Sequence, residues 1–147
     1  MTLGLSTSDV EPARVILDVQ LADFWSKLTA MPLVNLFCSA PTPDATTKKQ
    51  LLVSLSALLA RELGKPESYV MTNLVPQCEM TFAGTLEPAC YVEVKNIGKF
   101  KPEQTQKLSA KISDLLGQSL GITKSRVYIE FSDATGYLWG YDGTTFG

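Results

Sequence analysis

The feature that most constrains the fold is an internal duplication with an offset of 57 residues. Segment 63–70 recurs as 120–127, and both copies hold Leu-Gly, then a Ser, then a Val two positions later. Upstream of each copy, four apolar residues follow the i, i+4, i+7, i+8 spacing of one helix face. The two sets are Leu51, Leu55, Leu58 and Leu59, and Leu108, Ile112, Leu115 and Leu116. Agreement over a helix face and its exit turn indicates two copies of one supersecondary unit.

Start and stop signals bound both helices. Residues 42–44 (Thr-Pro-Asp) and 101–103 (Lys-Pro-Glu) offer an N-cap or a first-turn proline. Gly64 and Gly121 follow the last apolar positions, where a left-handed residue commonly ends a helix.

Runs rich in β-formers flank each helix. These runs are 33–39, 68–75, 90–97 and 126–132, with a short strand or hairpin expected near 79–82 and another in the tail, 136–146. The pattern predicts an α/β (α+β) domain in which two pseudo-symmetric β-α-β units form a four-stranded sheet with two helices on one face.

A sheet covered by helices on one side leaves its other face open. We expect that face to be apolar and to be covered by closed, symmetric oligomerisation. The apolar residues expected on it are Leu74, Val92, Val94, Ile129 and Phe131.

The chain contains no histidine, which excludes serine triads, Cys–His pairs and most zinc sites. Catalysis must therefore use carboxylates, Lys, Tyr, Cys or an amino terminus. Cys38, Cys78 and Cys90 form neither a CxxC pair nor a zinc pattern, so they predict free, buried thiols in a reducing compartment. We expect no metal and no cofactor.

Charge and hydropathy limit the partners. The net charge is −2, and no basic cluster favours nucleic acid or a membrane surface. No apolar run approaches the length of a bilayer span. Together with the cysteines and the lack of a leader pattern, this predicts a cytoplasmic protein.

Residues 1–31 lie outside the duplication, which begins close to Pro32, so the domain is expected to comprise residues 32–147. The first segment does not resemble a secretory signal. Three interpretations remain open: a misassigned start with Met31 as the true initiator, which we favour, a genuine extension that packs on the domain, or a cleaved pro-segment. Seven apolar residues in it would suit one amphipathic helix: Val15, Ile16, Leu17, Leu21, Phe24, Trp25 and Leu28.

From Met31 onward the chain resembles the macrophage migration inhibitory factor and D-dopachrome tautomerase family over about 115 residues. The order and spacing of several short motifs carry the resemblance. They are Met31-Pro32 and segments 64–69, 80–85, 87–88, 97–99, 125–129 and 140–146. The family's trimeric tautomerase fold, with two β-α-β units per chain, agrees with the duplication.

The resemblance implies a phenylpyruvate or dopachrome-type tautomerase, an isomerase in which Pro32 is the general acid/base. An α-amino group has a reference pKa of about 7.7–8.0, and an apolar pocket beside a cationic Lys65 lowers it further. Such an amine can remove a proton and return it elsewhere without a cofactor. Because a proline nitrogen bonded to Met31 is a non-basic tertiary amide, the activity is conditional on a free Pro32.

The family's binding residues also have counterparts here. Lys65 and the backbone N–H of Ile97 would bind the carboxylate of an aromatic α-keto acid or enol. Asn96 stands where many relatives have serine, a change expected to matter little. Tyr128 would come from a neighbouring subunit of a homotrimer. Glu130 replaces an asparagine of the animal members and would add negative charge to a pocket for an anion. The implied pocket walls are Leu33, Trp139, Tyr141 and Phe146.

Other functions are weighed against the tautomerase. A non-enzymatic, cytokine-like signalling or scaffold trimer with a vestigial pocket is the main alternative, and family members also allow export without a leader. Thiol–disulfide chemistry is not supported, because Ala89 and Val92 replace the cytokine's CxxC pair. Dehalogenase or decarboxylase chemistry is disfavoured, because the only arginines, Arg14, Arg61 and Arg126, lie outside the domain or in helix and turn contexts.

Overall fold

The computed structural model describes residues 15–17, 19–21 and 31–147. Within 31–147, two β-α-β units build the domain. The first consists of β1 (Leu33–Cys38), α1 (Ala45–Leu63) and β2 (Met71–Val75). The second consists of β3 (Cys90–Ile97), α2 (Pro102–Leu120) and β4 (Val127–Ala134). Strands β5 (Gly140–Tyr141) and β6 (Thr144–Thr145) form a hairpin in the C-terminal tail.

The structure confirms the duplication. Both ends of α1 and α2 differ by the same 57 residues, as do the short 3-10 turns Glu67–Tyr69 and Lys124–Arg126 that follow the helices. The run 68–75, which is rich in β-formers, therefore begins with a 3-10 turn, and its strand starts only at Met71.

The two units join into one sheet of order β2-β1-β3-β4. Strands β1 and β2 are parallel, as are β3 and β4, whereas β1 and β3 are antiparallel. The central pair runs from Leu33 opposite Lys95 to Cys38 opposite Cys90. The registers with the outer strands relate β1 to β3 by an offset of 58, which exchanges the Leu33–Lys95 and Phe37–Tyr91 pairs, so a local two-fold axis passes between β1 and β3.

The helix ends follow the sequence signals. The Asp44 carboxylate caps α1 by accepting the Thr47 N–H at 2.9 Å, and Pro43 precedes this cap instead of entering the first turn. Pro102 does occupy the first turn of α2. Gly64 and Gly121 end the helices with φ of 63° and 68°, a conformation that glycine adopts without a Cβ penalty.

Both helices pack on one face of the sheet, as predicted, but the residues assigned to the open face were wrong. Val92 and Val94 are fully buried in the core, and Leu74, Ile129 and Phe131 pack against it. Because side chains alternate between the two faces of a strand, assigning the wrong face misplaced all five of these residues.

The centre of the open face is polar. The Asn35 amide donates to the Glu93 carboxylate at 3.1 Å, and the Lys95 ammonium lies 3.3 Å from the same carboxylate. These two contacts lower the pKa of Glu93, with the Asn35 hydrogen bond the larger cause. An oligomer that covered this face would therefore enclose polar groups that are already hydrogen-bonded.

Two smaller predictions had different outcomes. The segment near 79–82 forms no strand, because Phe82 and Thr85 make only an isolated bridge around a turn in which Ala83 and Gly84 have positive φ. The tail hairpin is present as β5 and β6, after a 3-10 turn at Gly136–Leu138.

The described part of the N-terminal segment is short. Residues 15–17 and 19–21 are helical, and Val15, Ile16, Leu17 and Leu21 are exposed. Phe24, Trp25 and Leu28 lie outside the described residues, and so does most of the predicted amphipathic helix. Among the described residues, no helix is long and apolar enough to cross a membrane.

Candidate functional site

One end of the sheet brings Pro32 and Asn96 together. Pro32 is buried just before β1, and its carbonyl accepts the Met71 N–H at 3.0 Å. Continuing the β1–β3 register one residue past Leu33–Lys95 places Pro32 opposite Asn96. Both residues share the strand parity of the buried core residues, and Asn96 is only 4% exposed. Their side chains are therefore neighbours on the helix-facing side.

Lys65 lies in the turn between α1 and β2. Its backbone N–H donates to the Ala60 carbonyl at 2.9 Å, which fixes the turn after the left-handed Gly64. The side chain is half-buried, and this burial lowers the pKa of Lys65. Since β2 begins at the residue that bonds to Pro32, the turn lies at the same end of the sheet.

The C-terminal tail adds a cavity of about 520 Å³ at this end, lined in part by Ile97, Gly136 and Phe146. The Tyr141 ring stacks on Phe146 with centroids 5.7 Å apart, and it meets the Tyr69 ring edge-on at 5.9 Å. The tail thus connects the end of β3 with the turn that carries Lys65.

Close backbone packing holds the tail in place. A Cβ at Gly136 would lie 2.7 Å from the Phe146 carbonyl oxygen, so no other residue fits there without a shift. The Phe146 N–H also donates to the carbonyl of Trp139 at 3.2 Å. Trp139 therefore takes part in this closure through its backbone.

The loop after Ile97 is fixed by Asp133. Its carboxylate accepts the Phe100 N–H at 2.9 Å and lies 3.2 Å from the Lys99 ammonium. These contacts lower the pKa of Asp133, and the backbone hydrogen bond is the larger cause. The loop therefore presents Ile97 and Gly98 to the cavity in a defined geometry.

Tyr128 and Glu130 lie elsewhere in the chain. Asn96 pairs with Asp133 on β4, and Tyr128 is five residues back along that strand, or roughly 16 Å. The Tyr128 side chain is 67% exposed, with its ring 4.8 Å from that of Phe82. One chain therefore does not bring Tyr128 next to Pro32.

Glu130 shares the open face with Tyr128 and is engaged within its own chain. It accepts hydrogen bonds from the Tyr91 hydroxyl and, at 3.3 Å, from the Ser132 hydroxyl. The first of these raises the pKa of Tyr91 to about 12. The carboxylate of Glu130 is thus hydrogen-bonded to a donor on β3 and keeps its charge.

The cysteines meet at the opposite end of the sheet. The Cys38 and Cys90 sulfurs are buried and 2.6 Å apart, and the Cys78 N–H donates to the Cys38 carbonyl at 2.9 Å. The hydrogen bond with Cys38, together with burial, raises the pKa of the Cys90 thiol. All three thiols are free, although Cys78 is half-exposed and not buried as predicted. The described residues contain no group of three or more His, Cys, Asp or Glu side chains that could hold a metal ion.

Sequence reasoning missed three residues of this end: Tyr69, Asp133 and Gly136. Tyr69 belongs to a motif that was identified, but only its lysine was assigned a role. Asp133 acts through its carboxylate and Gly136 through close backbone packing, and no local pattern marks either contact. A larger depression of about 620 Å³ lies along α1 and contains none of the predicted site residues.

The duplicated β-α-β architecture and the site at one end of its sheet define the class, a tautomerase-type fold. The sequence profile described as "Macrophage migration inhibitory factor (MIF)" matches residues 31–147. The chain belongs to this family. That membership supports a tautomerase-superfamily function or a cytokine-like role, and it is consistent with an isomerase.

Individual relatives agree with the assignment. A macrophage migration inhibitory factor homolog of Trichinella spiralis is 35% identical over 116 residues, covering 79% of this chain and 100% of the relative. The macrophage migration inhibitory factor of Rattus norvegicus is 35% identical over 104 residues, covering 71% and 90%. The crystal structure of a homologue from Prochlorococcus marinus is 47% identical with a TM-score of 0.74, covering 78% of this chain and 99% of that one.

Proposed function

We propose that residues 32–147 form a keto–enol tautomerase of the phenylpyruvate or dopachrome type, with the free amine of Pro32 as general acid/base. The observation that carries this proposal is the burial of Pro32 at the end of the sheet that also holds Ile97, the turn with Lys65 and the tail cavity. Family membership supplies the reaction class.

The reaction requires only one group that both takes and returns a proton. The neutral amine takes the proton of the enol hydroxyl as the C=O bond forms, and the resulting ammonium delivers a proton to the neighbouring carbon. The substrate gains and loses one proton, so no oxidant or cofactor enters the balance. Partial enclosure and the nearby Lys65 cation disfavour the ammonium, which keeps the amine's pKa near neutrality.

Lys65 is proposed to hold the substrate carboxylate together with the N–H of Ile97. A half-buried ammonium is only partly screened by water, so its attraction to an anion is stronger than that of an exposed lysine. The apolar part of an aromatic keto acid would then lie against Leu33, Phe146 and the neighbouring tail aromatics, including Trp139 and Tyr141.

A homotrimer would complete the site. The exposed Tyr128, about 16 Å along the sheet from Pro32, is available to a neighbouring subunit. It would bring Glu130 with it, because both residues lie on the open face of β4. We expect the carboxylate to weaken the binding of anionic aromatic substrates relative to a Glu130→Gln variant.

The test compares three proteins in an enol–keto assay with phenylpyruvate. They are the full chain, the chain beginning at Pro32, and the latter with Pro32→Gly. The shorter form contains the whole four-stranded sheet and both of its helices, and the family profile matches residues 31–147. Intact mass establishes each amino terminus.

We expect activity only in the chain beginning at Pro32, with a loss of about 100-fold or more in the glycine variant and in the full chain. Pro41→Gly, at an exposed proline just after β1, is the matched control and should retain full activity. Equal activity in the full chain, or in Pro32→Gly, would refute the proposal.

The alternative function is a cytokine-like signalling or scaffold trimer. The observation that favours it is the peptide bond between Met31 and Pro32, since a chain that retains it keeps the fold without a basic nitrogen. A trimer beginning at Pro32 that lacks tautomerase activity would support this alternative. Sedimentation at several protein concentrations establishes the oligomeric state.

A further inference from the structure

Two buried thiols face each other at the end of the central ladder, and the proposed function does not use them. Cys38 is the last residue of β1, Cys90 is the first residue of β3, and the register places them directly opposite each other. Cys38 is 0% and Cys90 is 2% exposed, and their sulfurs lie 2.6 Å apart. The two thiols are 52 residues apart in the chain, so no short motif marks them as a pair.

The backbone around the two thiols shows which kind of antiparallel position they occupy. The Ser39 N–H donates to the carbonyl of Ala89 at 3.0 Å, so these two neighbours form a hydrogen-bonded pair. The Cys38 carbonyl points away from β3, because it accepts the Cys78 N–H at 2.9 Å. Hydrogen-bonded and non-hydrogen-bonded pairs alternate along an antiparallel ladder. Cys38 and Cys90 therefore form a non-hydrogen-bonded pair.

A pair of this type meets the geometric requirement for a disulfide. The Cα atoms of a non-hydrogen-bonded pair are about 4.5 Å apart, and disulfides span Cα distances of about 4.4–6.8 Å. Directly opposite side chains also lie on the same face of a sheet, which here is the face that the helices cover. Because the sulfurs are already in contact, bond formation requires no change of strand register.

We infer that Cys38 and Cys90 are a modification site, at which a cross-strand disulfide forms by exchange with a low-molecular-weight disulfide. In the first step, the thiolate of one cysteine attacks a sulfur of the oxidant, which makes a mixed disulfide and releases one small thiol. The second cysteine then attacks the sulfur of the first and releases the other small thiol. The two cysteines lose two electrons and two protons, and the oxidant is reduced to two small thiols.

Burial controls the rate of this exchange. The hydrogen bond with Cys38, together with burial, raises the pKa of Cys90, and the thiolate is the reacting species. The pair therefore reacts slowly while the ladder is closed. Since both residues lie at the end of the ladder, local opening of this end exposes them without unfolding the rest of the sheet.

The bond would join the two β-α-β halves covalently, because β1 belongs to the first half and β3 to the second. A cross-link between residues 52 positions apart restricts the unfolded chain and so stabilises the folded one. We expect the equilibrium constant for unfolding to be about 100-fold lower in the oxidised chain than in the reduced chain. This inference requires no free Pro32 and is independent of the proposed tautomerase activity.

The test uses the full chain with Cys78→Ser, in which any disulfide within one molecule must join Cys38 to Cys90. The reduced protein is incubated with oxidised glutathione, at several ratios to reduced glutathione, and its free thiols are then counted by mass after alkylation in urea. We expect two alkylated thiols before oxidation and none after it, without a glutathione adduct. Excess dithiothreitol should restore both thiols.

Cys38→Ser and Cys90→Ser, each combined with Cys78→Ser, are the matched controls. Each retains one buried thiol, and its unfolding midpoint in urea should be the same before and after incubation with oxidised glutathione. The midpoint of the variant that retains both thiols should rise on oxidation, as the lower unfolding constant requires.

Three results would overturn the inference. The first is two thiols that remain alkylatable at the most oxidising ratio, both in water and in urea below the unfolding transition, where slow opening no longer limits exchange. The second is a stable glutathione adduct at Cys38 or Cys90, since the facing thiol would then fail to displace it. The third is a disulfide between two chains, visible as a dimer on a non-reducing gel, in place of one within a chain.

Discussion

The helices of the two β-α-β halves begin and end at equivalent residues. The two halves differ in the residues that they place at the two ends of the sheet. Pro32 and Lys65 occupy the first half, and the equivalent positions hold Cys90 and Ile122, which are buried. The first half thus places a nitrogen and a cation at its end of the sheet, whereas the second half has a buried thiol and a buried aliphatic side chain in the same places. A duplicated scaffold offers two symmetric ends, and the described residues at these ends differ in chemical type.

The segments that close the two ends differ as well. Arg126 donates to the carbonyls of Phe82, Glu87 and Pro88 at 3.2, 2.8 and 2.9 Å and holds that loop over one end. Its counterpart in the first half is Tyr69, whose ring contacts the tail instead. The guanidinium of Arg126 holds its loop through several hydrogen bonds, whereas the ring contact of Tyr69 leaves a cavity beside the tail.

The largest expected effect comes from exchanging the residues at the Lys65 and Ile122 positions. Ile122 is 1% exposed, so Ile122→Lys would bury an ammonium and lower the free energy of unfolding by about 4–6 kcal/mol. Urea denaturation at a fixed protein concentration measures this value. A loss below about 1 kcal/mol would mean that the second end tolerates charge and that the two ends are less different than described.

The reverse change tests the first end. Lys65→Ile should weaken the binding of an anionic keto acid by about 10–100-fold, because a charge-assisted contact is removed. KM and kcat in the chain beginning at Pro32 provide the measurement. An unchanged KM would remove Lys65 from the proposed site.

The next prediction concerns whether the two halves share one hydrophobic core. Leu55 in α1 and Ile112 in α2 are equivalent positions, and both are fully buried in a single cluster. We expect Leu55→Ala and Ile112→Ala each to lower the free energy of unfolding by about 2–5 kcal/mol in one cooperative transition. Two separate transitions in either variant would show that the halves unfold independently.

The smallest effect concerns the two helix starts. The Asp44 side chain caps α1, whereas the equivalent Lys101 makes no side-chain cap. Asp44→Ala should therefore lower the unfolding midpoint by a few degrees at neutral pH, and Lys101→Ala should change it less.

The Asp44 cap should also depend on pH. Its hydrogen bonds from Thr47 lower the pKa of Asp44, so its stabilisation is present above the unfolded-state pKa and is lost as pH falls through the folded-state value. Thermal melts of wild type and Asp44→Ala should therefore converge in acid. A difference that persists at low pH would indicate that the carboxylate is not the capping group.

Local patterns predicted the helices and the duplication correctly, because helical spacing and the glycines at 64 and 121 are visible within a few residues. They did not predict which sheet face the helices cover. In β1, both faces hold large apolar residues, with Leu33 and Phe37 on one and Val34 and Leu36 on the other. Alternation alone cannot choose between such faces.

The structure brings Pro32 and Asn96 together at one end of the sheet, and the sequence did not predict this arrangement. The placement of Pro32 opposite Asn96, and of Cys38 opposite Cys90, depends on the register between strands more than 50 residues apart. No short motif encodes that register. Tyr69 lay inside an identified motif, but its contact with Tyr141 requires the tail to fold back across the domain.

The two buried thiols allow the separation of the two halves to be measured in solution. Cys38 and Cys90 belong to the two central strands, so a thiol reagent reaches them only when β1 and β3 separate, whereas the half-exposed Cys78 is accessible in the folded chain. Labelling should be rapid at one thiol and slow at two. The slow labelling rate would measure how fast the central pair of strands opens.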